Sequence, residues 1–106
     1  MPVTLFWSRF RDDLDEAGMR AYREDAGRIH ALAESTPGFI SIKTYQAEDG
    51  ERLSVVMFET DAQQAEFRAL AEHRAAQQRG RETYYQSYRL MVCEPKRTYD
   101  WPDLPD

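Results

Sequence analysis

Cysteine, histidine and asparagine are scarce or missing in this chain, and each absence removes a class of chemistry. The single cysteine, Cys93, permits no internal disulfide and no structural zinc cluster. The two histidines, His30 and His73, stand far apart and form no H-x-H or H-E-x-x-H ligand set. Asparagine does not occur at all. No Gly-rich phosphate loop and no serine nucleophile elbow is present. No apolar run approaches the roughly 18 residues of a membrane span. Basic residues number 14 against 19 acidic ones, a net charge of −5, which is a poor match to a phosphate backbone. Nucleic acid, membrane, metal and cofactor are therefore all unexpected. The segment from Met1 to Trp7 lacks the basic region and small-residue cleavage site of an export signal, which reads as a cytoplasmic protein.

What is present is enough for one core. The chain has 106 residues and 13 aromatics (two Trp, six Tyr, five Phe), so a single domain over 1–106 is expected. Residues 3–10 are rich in β-formers and read as a strand. Asp13 with Glu16 three positions on is a capping-box-like helix start. Behind it Gly18, Tyr22, Ala26, Ile29 and Ala33 form the buried stripe of an amphipathic helix, while Arg20, Arg23, Glu24 and Asp25 form its solvated face. Thr36-Pro37-Gly38 ends it. Strands follow over 39–46 and 52–59, joined by a hairpin turn with Asp49-Gly50 at its centre. Thr60 or Asp61 caps a second helix, with Gln63 or Gln64 placed to complete the box. Gly80 is a plausible stop. A last strand runs from Thr83 or Tyr84 to Glu94, and Pro95 limits it.

The order β-α-β-β-α-β, with right-handed crossovers, closes into a four-stranded antiparallel sheet with both helices on one face: an α+β, ferredoxin-like protomer. The first and third strands are then central. Both are apolar on two faces, with Val3, Leu5 and Trp7 opposed to Phe6 and Phe10, and Leu53, Val55 and Met57 opposed to Val56 and Phe58. Two helices cover only one face. The other is an exposed apolar patch unless a second copy packs on it, so a homodimer is expected. The tail over 97–106, with Tyr99 and Trp101, is placed to clasp the partner; the alternative is that it folds back over its own sheet.

Gly38-Phe39-Ile40-Ser41, the turn Asp49-Gly50-Glu51-Arg52, Phe58-Glu59-Thr60 and, most specifically, the block from Glu72-His73-Arg74 through Gly80-Arg81-Glu82 to Tyr84, Tyr85 and Tyr88 resemble the antibiotic biosynthesis monooxygenase family. The resemblance covers about residues 3–100. It implies a dimeric α+β barrel with a ligand cavity between sheet and helices in each protomer. It also implies cofactor-independent oxidation of an electron-rich aromatic or polyketide-like molecule. The haem-degrading relatives carry Asn on the first strand, Trp early in the second helix and His near its end. Ser8, Phe67 and Gln77 stand nearest those positions here, and Gln77 offers no imidazole to iron, which disfavours haem degradation.

His73 is the natural base: a neutral imidazole near pH 7 can take a phenolic proton and leave an anion that reacts with oxygen. Arg81 is positioned in sequence to stabilise that anion. The competing role for His73 is structural, as a buttress of the helix–strand junction. The substrate pocket is assigned to Trp7, Arg9, Phe67, Gln77 and Tyr85. Strand alternation places Tyr84 and Tyr88 on one face and Tyr85 on the other. Arg9 has a second reading, a salt bridge to Glu59, and Trp7 a second reading, dimer-core filling. His30 reads as a surface residue and Cys93 as a small buried hydrophobe. A different class of function remains open, a dimeric protein that binds a small aromatic without chemistry.

Overall fold

The computed structural model describes residues 1–77 and 83–102, the side chains of 72–77 excepted. The elements follow the expected order: β1 (Val3–Phe10), α1 (Glu16–Ser35), β2 (Phe39–Gln46), β3 (Arg52–Phe58), α2 (Asp61–Gln77) and β4 (Tyr85–Cys93). The sheet is antiparallel in the order β2-β3-β1-β4, so β1 and β3 are central. This is the ferredoxin-like α+β arrangement.

The helix ends show which side chains cap. Asp15, not Asp13, is the N-cap of α1, accepting from the Gly18 N–H at 2.7 Å. Asp15 directly precedes the first helical residue, where its oxygen reaches the orphan donors. Asp13 sits in the turn before it and pairs with Arg11 at 2.9 Å. Thr60 caps α2, its hydroxyl accepting from the Gln63 N–H at 3.2 Å. Gln64 does not complete a box. It turns inward, and its amide donates to the Thr4 hydroxyl at 2.9 Å with both residues buried. That bond fixes α2 onto the start of β1. Gly38 links α1 to β2 at φ +85, a conformation that disfavours any side chain, with the Gln63 amide packed where a Cβ would stand.

One end of the helix-side face is a packed core. Phe58 is fully buried, stacked on Phe67 at 5.3 Å and edge-on to Phe39 at 5.9 Å. Ala33, Val56, Ile29 and Leu32 fill around them. α1 packs against β2 and α2 against β3. Among the described residues the helices cover mainly the β2–β3 half, with Tyr22 and Asp25 of α1 reaching the start of β4. The β4 half of the same face keeps Tyr88, Leu90 and Val92 exposed at 44%, 42% and 39%.

The opposite face carries no helix. Register aligns it in rows across the four strands: Ser41, Met57, Val3, Cys93; then Lys43, Val55, Leu5, Met91; then Tyr45, Leu53, Trp7, Arg89. The middle of this face is apolar and partly exposed, the pattern of a surface that packs against something. Beyond β4, Arg97 lies over Tyr99 and donates to its hydroxyl at 2.8 Å, while Trp101 is 85% exposed. No described helix is long and apolar enough to cross a membrane.

Candidate aromatic site

Where the helices leave β4 uncovered, six aromatic rings meet. Phe10, from the end of β1, contacts Tyr22 of α1 edge-on at 4.7 Å and stacks with Tyr85 at 6.1 Å. Phe6, four residues back on the same face of β1, contacts Tyr85 at 5.7 Å and Tyr88 at 5.6 Å. Tyr84 joins through Tyr22 at 5.5 Å. These separations and the mostly edge-on angles are those of favourable aromatic pairs. Arg52 closes one side, its guanidinium 5.2 Å from the Phe10 ring centre. A recess of about 390 Å³ opens beside Tyr85, walled by Arg11, Asp12, Asp13 and Gln86.

Strand alternation alone does not bring Tyr84, Tyr85 and Tyr88 together. A register shift between Arg9 and Phe10 does: Ser8 pairs with Tyr88 and Arg9 with Ser87, but Phe10 pairs with Tyr85. The bulge inserts one residue and turns Tyr85 to the helix side, beside Tyr88 instead of opposite it. The expected split of the three tyrosines is thus overturned by one irregularity in pairing.

The polar ends of the rings are arranged. The Tyr84 hydroxyl, in a residue only 3% exposed, donates to Asp25 at 2.5 Å. Asp25 also accepts from Arg28. It is therefore not part of the solvated face of α1; its side chain is 16% exposed and turned to the start of β4. Burial raises the Tyr85 phenol above the ordinary tyrosine range, and the neighbouring Tyr22 raises it further. Tyr85 consequently stays a neutral O–H donor across the physiological range. The rings form an apolar cluster, and the recess that adjoins it at Tyr85 is otherwise lined by charged and polar side chains.

The residues assigned from sequence separate into distinct places. Tyr85 is at the centre of the cluster. Phe67 belongs to the buried core beneath the helices. Trp7 and Arg9 point to the helix-free face. Arg9 pairs there with Asp49 at 2.7 Å, not with Glu59, because the β2–β3 turn lies beside the end of β1. Asp49, accepting from the Glu51 N–H and from Arg9, is held below the usual carboxylate range. The assignments to the side chains of His73 and Gln77, and to Arg81, fall outside the described residues. Sequence reading missed Phe6, Phe10, Tyr22, Tyr84 and Asp25 as site residues. Tyr22 was visible on the buried stripe of α1, but nothing local marks the bulge that gathers the others.

No family model matches the chain. The protein YqjZ of Bacillus subtilis (strain 168), itself uncharacterized, is 32% identical over 76 residues, which cover 72% of this chain and 67% of that one. Among solved structures, the cofactor-independent oxygenase SnoaB of Streptomyces nogalater superposes with a TM-score of 0.68 at 10% identity, over 92% of this chain and 94% of its own. A candidate antibiotic biosynthesis monooxygenase from Nitrosomonas europaea gives 0.62 at 15% identity, over 92% and 100%. The two structural likenesses are likenesses of fold.

Proposed function

This chain belongs to the same family as Bacillus subtilis YqjZ and has the fold of the antibiotic biosynthesis monooxygenases, and on that premise we propose that it is a homodimeric, cofactor-independent oxygenase of an electron-rich aromatic small molecule. The observation that carries the reading is the ring cluster of Phe6, Phe10, Tyr22, Tyr85 and Tyr88 at the uncovered β4 half of the helix face. A planar substrate lies against those rings. The Tyr85 hydroxyl, bonded to Tyr22 in the free protein, turns its proton to a substrate oxygen. His73 takes the proton whose loss makes the ring system electron-rich, and Arg81 stabilises the anion. With an anthrone as substrate, one atom of O₂ becomes the new carbonyl oxygen. The other leaves as water with the two hydrogens of the oxidised carbon.

The dimer forms through the helix-free face, whose middle rows of Leu5, Val55, Val3 and Met57 are apolar and partly exposed. The exposed tail around Trp101 reaches over the partner.

Oxygen uptake with anthrone tests the reading. Turnover by the wild type, its loss in His73→Ala and a large decrease in Arg81→Gln support it. Binding of the aromatic without oxygen consumption leaves the protein a carrier that uses the same ring cluster. Unchanged turnover in His73→Ala removes that residue from the chemistry.

A further inference from the structure

A second cavity opens around the Trp7–Arg89 pair of the helix-free face and meets the aromatic cluster only at Tyr88. It has a volume of about 470 Å³ and is lined by Trp7, Ser8, Glu51, Ser87, Tyr88 and Arg89. Trp7 and Arg89 are direct register partners on β1 and β4. The Arg89 guanidinium carbon stands 5.6 Å from the centre of the Trp7 ring. Of the other cations described on this face, Arg9 is paired with Asp49 at 2.7 Å, and Lys43 lies over the Tyr45 ring at 5.3 Å, away from this cavity. Arg89 has no carboxylate partner among the described residues. A guanidinium held over an indole and left without a counter-anion is a prepared place for a carboxylate.

We propose that this cavity binds a small aromatic carboxylate, its ring on Trp7 and its carboxylate on Arg89. The lining narrows the class further. Glu51 stands just before β3, level with Arg9, and Arg89 on β4, level with Trp7: two strand spacings across and two residues along, about 12 Å between backbones. Glu51 repels a multiply charged anion, which disfavours phosphates. It accepts instead from a hydroxyl or N–H at the far end of the ligand. A phenolic or indolic acid has that shape: an anion at one end, a flat ring, a donor at the other. Ser87, paired with Arg9, also lines the cavity. The cavity occupies the row of Trp7 and the end of the face beyond it. The proposal does not depend on oxidation chemistry in the aromatic cluster.

Calorimetric titration with 4-hydroxyphenylacetate and with 4-hydroxyphenylacetamide decides it, since the two differ in charge and share the ring. The acetate is expected to bind at least about tenfold more tightly than the amide, the scale of one charge-assisted bidentate contact. Arg89→Gln erases the difference, Arg89→Lys keeps part of it, and Trp7→Leu weakens both ligands alike. Absence of binding by the acetate, equal binding of the two, or a preference that survives Arg89→Gln overturns the proposal. Binding lost in Tyr85→Ala but kept in Arg89→Gln also overturns it, and places the ligand in the aromatic cluster. Failure of the oxygenase reading is read separately, from oxygen uptake.

Discussion

The hydroxyl of Tyr84 and the carboxylate of Asp25 meet at 2.5 Å, tying the start of β4 to the middle of α1. The bond closes the back of the aromatic cluster. Tyr84 is 3% exposed, so the bond is made in a largely buried place. Replacing Tyr84 with Phe leaves the carboxylate with Arg28 alone. The expected loss is about 1.5–3 kcal/mol, the range for a hydrogen bond to a charged group. Asp25→Asn retains an acceptor and costs less. Urea denaturation of the two variants checks the order; equal stability of Tyr84→Phe and wild type contradicts it.

Tyr85 makes stability depend on alkaline pH. Its phenol is raised from an ordinary value of 10.0, chiefly by burial. The folded state therefore holds the proton to higher pH than the unfolded chain. Stability from this group is complete below about pH 10 and falls as pH rises beyond it, because the unfolded state then binds fewer protons. Tyr85→Phe flattens that alkaline limb. Denaturation midpoints across the alkaline range, wild type against Tyr85→Phe, test this.

Gly38→Ala is expected to destabilise. The φ of +85 costs an alanine about 1–2 kcal/mol, and the new Cβ stands 1.8 Å from the Gln63 amide oxygen, which must move. The double variant Gly38→Ala, Gln63→Ala relieves the overlap and keeps the backbone cost. Thermal unfolding of both variants separates the two contributions. A neutral Gly38→Ala refutes the strain at this turn.

Trp101 tests the tail. As the residue that reaches over a partner, its replacement by Ala weakens the dimer about tenfold or more, on the scale of a tryptophan anchor. Sedimentation over a dilution series reads this. An unchanged dissociation constant removes the tail from the interface; a wild type that sediments as a monomer removes the dimer itself.

Much of the fold was legible because it rests on local signals and periodicity. The alternation of Val55 and Val56, or of Leu5 and Phe6, correctly assigns the two faces of the sheet. The turn at Asp49-Gly50 needs positive φ at Gly50, which it has at +91. The site was less legible because it rests on departures from periodicity. One bulge beside Phe10 decides where Tyr85 points, and no residue type announces it. Asp25 reads as solvated because its partner, Tyr84, is 59 positions away. Trp7 was open between pocket and interface, since alternation fixes a face but not what covers it. The cap of α1 was misplaced by two residues because an acidic run, Asp12-Asp13-Leu14-Asp15, offers several caps and only the local geometry selects one.

The most direct test uses the six tyrosines as reporters. Protein labelled with 3-fluorotyrosine, its resonances assigned by single Tyr→Phe variants, is titrated with a hydroxyanthraquinone and followed by fluorine NMR. A ligand among the rings of the β4 half moves Tyr22, Tyr85 and Tyr88 and leaves Tyr45 and Tyr99 in place. Movement of Tyr45 or Tyr99 with a still cluster, or no movement at all, contradicts an aromatic-binding site there.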